Sequence, residues 1–90
     1  MIRKRITISG ETQGVYFRAF IKDRATELGL NGFVRNTEDK KVEVIVEGNE
    51  LKVDKLIELC KQGPQNSVVE DLKTETLQYT GEFKTFRVKY

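Results

Sequence analysis

The segment GETQGVYFR, Gly10 to Arg18, spaces two glycines four positions apart and closes on an arginine. A chain passing from a strand into a helix exposes backbone N–H groups that no helix carbonyl accepts. Those donors, with the positive end of the helix dipole, favour a bound anion. Glycines at 10 and 14 would let the backbone curl until the donors converge. Arg18, placed at or near the first helical turn, could add a forked pair of hydrogen bonds to a phosphate. On these residues alone a plainer reading stays open, in which both glycines serve a turn and Arg18 lies on a solvated helix face.

Several phosphate chemistries are excluded by what the chain lacks. The nucleotide loop G-x-x-x-x-G-K-[ST] is absent: Gly10 and Gly14 are too close, and no Lys-Ser or Lys-Thr pair follows. A cysteine-dependent phosphatase needs an arginine a few residues beyond the thiol, whereas Cys60 is followed by KQGPQN. Asp23, Asp39, Asp54 and Asp71 are scattered rather than grouped for aspartyl-phosphate chemistry. There is no histidine, so zinc and copper sites and imidazole bases are not expected, and a lone cysteine excludes a disulfide framework. No metal and no cofactor is expected. A catalyst built from these residues would bind a reactive substrate and direct water onto it.

The remaining sequence must position that segment. Ninety residues suit one core. The content of 38% hydrophobic and 33% charged residues suits a folded globular chain rather than a disordered one. Sixteen basic against fourteen acidic residues leave +2, too little excess for a general polyanion binder. The one local excess is Arg3, Lys4 and Arg5. No apolar run exceeds three residues, so neither a membrane span nor a signal core is expected, and a cytoplasmic location is.

RITISG alternates as a strand, and Phe17, Phe20, Ile21, Ala25 and Leu28 recur at helical spacing up to Gly29. GFVRN and KVEVIVEG read as a second and third strand joined through TEDK. Asn49 caps a second helix striped by Val53, Leu56, Ile57 and Cys60, which Gly63-Pro64 ends. From Ser67 the chain is β-like, with YTGE marking either a break between two strands or an interruption of one. The order is βαββαβ with room for an additional terminal strand. Two interleaved right-handed crossovers then give an α/β (α+β) sandwich of the ferredoxin-like kind, an antiparallel sheet with two helices on one face. That scaffold by itself specifies no activity.

GETQGVYFR resembles the acylphosphatase signature G-x-V-Q-G-V-x-F-R, departing only at Thr12, where the family has valine. GFVRNTEDKKVEVIVEG, Gly32 to Gly48, is similar to the family's second signature, with Lys40 where its hairpin usually has glycine. The resemblance extends over the whole chain, and implies one acylphosphatase-like domain over residues 1–90. It implies a hydrolase that splits the carboxyl–phosphate bond of acyl phosphates into carboxylate and inorganic phosphate. The family's catalytic arginine falls on Arg18 and its catalytic asparagine on Asn36. Its phosphate cradle falls on the backbone of Thr12, Gln13, Gly14, Val15, Tyr16 and Phe17. The expected partner is a small acyl phosphate, with no nucleic acid, no membrane and a monomeric state.

Two rival readings share the scaffold. In one, the chain binds RNA, with Phe33, Tyr16 and Tyr90 stacking on bases. Against it, the Gly-aromatic-small-aromatic run of RNA-recognition strands is missing, and Phe33 is expected in the core. In the other, the phosphate seat persists in a catalytically weakened module, and Lys40 is the residue that favours it.

Overall fold

The computed structural model describes residues 1–12 and 16–90, and of Val15 the backbone alone. Seven elements follow one another: β1 (Ile2–Glu11), α1 (Val15–Glu27), β2 (Asn31–Asn36), β3 (Val42–Gly48), α2 (Glu50–Gln62), β4 (Val68–Leu77) and β5 (Phe86–Lys89). They form one sheet ordered β4-β1-β3-β2-β5. The predicted ferredoxin-like order is therefore present, with the additional strand at its end. The sheet is mixed rather than wholly antiparallel, because β5 runs parallel to β2, with Val34 opposite Val88 and Arg35 opposite Lys89.

Strand alternation explains the layering. Ile6 and Ile8 of β1, Val34 of β2 and Val42, Val44 and Val46 of β3 are fully buried on the helix-covered face. Phe17, Ile21 and Ala25 of α1 and Val53, Leu56 and Cys60 of α2 close over them in one cluster. Asn49 caps α2 by accepting from the Lys52 amide, and Gly63 ends that helix with φ 68°.

The opposite sheet face carries a ladder of ions. Arg3 and Arg5 lie on β1, flanked by strands on both sides, and are not at an edge. Arg3 pairs with Glu47 and Glu82, and Arg5 with Glu43 and Glu75. These two cations are spent within the fold rather than offered to a substrate. Burial raises the Glu47 carboxyl, but donors from Thr80, Arg3 and Gly81 outweigh it and hold the group below its ordinary value. Its bonds to the Thr80 and Gly81 amides, at 2.9 and 3.1 Å, order the connection leading into β5. Phe33, expected in the core, instead faces this side. Its ring meets Phe83 edge-on at 5.9 Å and lies 3.9 Å beneath the Lys89 ammonium. The alternation of β2 requires this, since Val34 takes the inward position.

The β2–β3 connection is tied by Thr37, whose amide donates to the Lys41 carbonyl at 2.8 Å and whose hydroxyl accepts from the Lys41 amide at 3.1 Å. Lys40 sits in this loop with φ 64°, the conformation in which the family resemblance expects glycine. The turn has kept its shape around a side chain that disfavours it. Lys40→Gly is therefore expected to stabilise the fold by up to about 1 kcal/mol. In thermal unfolding that is a rise of roughly 4–8 °C for a chain of this size. An unchanged or lower midpoint would show that the loop stores no such strain.

Candidate active site

One end of the sheet gathers the residues singled out above. β1 ends at Glu11, α1 begins at Val15, and Asn36 ends β2 opposite Val42. Val42 in turn lies opposite Ile8 near the end of β1. Parallel pairing brings the end of β5 beside Arg35, and so the Lys89–Tyr90 segment beside Asn36. Asn36 shares the helix-covered face with Val34, two positions before it.

Arg18 is the fourth residue of α1, and helical side chains lean back toward the N-terminus. It is only 8% exposed, which rules out the solvated-face reading. One terminal nitrogen reaches the Lys89 carbonyl at a long 3.5 Å, and the guanidinium lies 4.9 Å from the centre of the Tyr90 ring. Among the described residues no ion pair reaches Arg18, and its Nε is buried without a hydrogen-bond partner. A buried cation without a counter-ion is costly.

Two other polar atoms of the site share this condition. Asn36 Oδ1 and Thr12 Oγ1 are buried and have no partner among the described residues. Thr12, at the departure from the family's valine, is fully buried. The start of α1 carries no acidic residue in its first turn, whereas α2 has Glu50 there in addition to its Asn49 cap. Among the described residues, no acidic side chain of the first turn offsets the positive end of α1.

The expected cradle is described in part. Thr12 and Phe17 are buried and Tyr16 is exposed, while Gln13, Gly14 and the Val15 side chain lie outside the described residues. Gly10 has a task that the sequence did not announce. It sits at a bulge with φ 132°, where a Cβ would come within 2.1 Å of the Val68 carbonyl oxygen. The close passage of β4 by itself requires glycine here. Cys60 is fully buried, and burial pushes its thiol up to about 12, so it is a core residue and not a nucleophile. The Lys89 carbonyl and the Tyr90 ring were not legible as neighbours of Arg18, since nothing local in the sequence announces that β5 pairs with β2.

Among the described residues, no group of three histidine, cysteine, aspartate or glutamate residues could hold a metal ion, and no helix is long and apolar enough to cross a membrane. Comparison with known proteins adds four findings. The family profile described as acylphosphatase matches residues 4–88. An acylphosphatase of Marinobacter nauticus is 42% identical over 88 residues, spanning 98% of this chain and 96% of its own length. Another, of Aeropyrum pernix, is 42% identical over 91 residues, spanning 100% and 90%. The crystal structure of acylphosphatase from Bacillus subtilis superposes with a TM-score of 0.95 at 32% identity, covering 100% of both chains.

Proposed function

The chain belongs to the acylphosphatase family, and from that premise we propose how its residues hydrolyse acyl phosphates. The α1 N-terminus and the amides of the 12–17 segment hold the phosphoryl oxygens. Arg18 supplies the counter-charge and a forked donor pair to the same oxygens. Asn36 Oδ1 accepts a hydrogen bond from the attacking water and keeps the water's lone pair turned toward phosphorus. Water oxygen bonds to phosphorus as the bond from phosphorus to the carboxyl oxygen breaks. Carboxylate leaves with the bonding pair, and the water's proton passes to phosphate or solvent. Carboxylate is a good leaving group, so no strong general acid is needed, in keeping with a chain that has no histidine. The protein's contribution is positioning and charge stabilisation, as in other phosphoryl transfers.

The observation that carries this reading is the buried Arg18 guanidinium without a carboxylate partner among the described residues, beside the unpartnered Asn36 Oδ1. The test pairs acetyl phosphate hydrolysis with titration of single-stranded RNA. Phosphate release that inorganic phosphate inhibits competitively, with no salt-dependent RNA affinity, is the expected result. RNA binding without phosphate release would favour the stacking alternative. Phosphate binding without release would leave the weakened module.

A further inference from the structure

We infer that a groove formed by Glu11, Tyr16 and Phe17 with the Pro64–Ser67 turn receives the acyl half of the substrate, and that it selects compact acyl groups without a second negative charge. This assignment rests on the water-positioning role given above to Asn36. In-line displacement puts the entering water and the leaving carboxylate on opposite sides of phosphorus. Asn36 lies on β2, two strands from β1 on one side, or roughly 9–10 Å at ordinary strand spacing. The Pro64–Ser67 turn lies on the other side. It leads into β4 at Val68, which is in register with Glu11. A water arriving from Asn36 therefore sends the carboxylate toward this groove.

The groove is built to receive something small. Its volume is about 230 Å³, several times the ~30 Å³ share of a water molecule, yet below the ~300 Å³ at which drug-sized pockets begin. Buried Phe17 and Pro64 supply its apolar part, and the exposed Tyr16 ring stands beside them. The turn is held in shape. Ser67 donates to the Pro64 carbonyl from its amide at 3.2 Å and from its hydroxyl at 2.6 Å. Asn66 takes φ 70°, which asparagine tolerates better than most residues. Gly63 leaves room for the Phe17 ring and Ser67, since a Cβ there would meet Ser67 Oγ at 2.5 Å.

Charge sets the selection. Among the described residues no lysine or arginine lines the groove, and the one carboxyl that does is that of exposed Glu11. An acetyl or benzoyl group meets apolar surface and no repulsion. An acyl group ending in a second carboxylate meets Glu11 with nothing to offset it.

The test compares kcat/KM for acetyl, benzoyl and succinyl phosphate. Glu11→Lys is expected to raise the succinyl-to-acetyl ratio roughly threefold to tenfold at low ionic strength, with the gain shrinking in high salt. Tyr16→Ala is expected to lower the benzoyl-to-acetyl ratio by about fivefold. Inorganic phosphate inhibition of Glu11→Lys reads the cradle separately from the groove. Should neither ratio move while acetyl phosphate is still turned over, the acyl group lies elsewhere and the assignment falls. A wild-type protein that leaves acetyl phosphate intact is a different outcome, removing the hydrolase reading itself and this assignment with it.

Discussion

Arg18→Ala is expected to lower kcat/KM for acetyl phosphate by ~10³-fold or more, the scale on which transition-state arginines act in phosphoryl transfer. That corresponds to about 4 kcal/mol of lost transition-state stabilisation. The substituted protein is expected to stay folded, and to lose little or no stability. Arg18 has no ion pair to forfeit among the described residues, and its removal ends the burial of an uncompensated charge. Stability and activity should therefore part company at this position. Phosphate gives a second readout that does not depend on turnover. In the wild type, saturating phosphate stabilises the folded state by about 2.7 kcal/mol at a hundred times its dissociation constant. In Arg18→Ala that shift in the melting midpoint should largely vanish. Arg18→Lys should recover only part of either property, since an ammonium restores charge but not the planar fork. Near-wild-type hydrolysis by the alanine variant would remove Arg18 from the mechanism.

The parts of this site differ in how far the sequence reveals them, and the difference follows the range of the interactions. Alternation in RITISG and KVEVIVEG, the Asn49 cap and the Gly63-Pro64 stop are local signals, and the elements they imply are present. Arg3 shows the opposite case. Read locally it is a surplus cation, yet its partners Glu47 and Glu82 are brought to it only by the sheet. Strand β5 is harder still, because four residues carry little pattern and parallel pairing to β2 is a tertiary choice. That choice decides which groups face Arg18.

Gly10 was legible as necessary, but the Val68 carbonyl on the neighbouring strand, which also requires it, was not. Lys40 marks a limit of another sort. Sequence pattern places glycine there by resemblance, and the backbone holds the glycine-like φ with a lysine instead. The hairpin is thus fixed by Thr37 and the strand register more than by the residue at its tightest point.

Asn36→Ala separates binding from chemistry. Its side chain ends β2, where the ladder to Val42 fixes the backbone and Thr37 ties the loop that follows. Removing the side chain should leave that backbone in place and abolish one buried acceptor that has no partner among the described residues. Stability is then expected to hold. Turnover of acetyl phosphate should fall by roughly 10²–10³-fold, the scale of losing one positioned hydrogen-bonding amide at a reaction centre. Phosphate should still raise the melting midpoint and still inhibit, because Arg18 and the loop amides remain. Asn36→Asp sharpens the test: it keeps an oxygen acceptor for water but sets a carboxylate close to the phosphoryl group. That variant should lose phosphate affinity as well as rate, by like-charge repulsion in a partly buried site. Loss of phosphate binding in Asn36→Ala, with turnover at saturation preserved, would instead make Asn36 a phosphate ligand. The in-line direction toward the Pro64–Ser67 turn would then lose its premise, so this substitution tests both the water's origin and the carboxylate's exit.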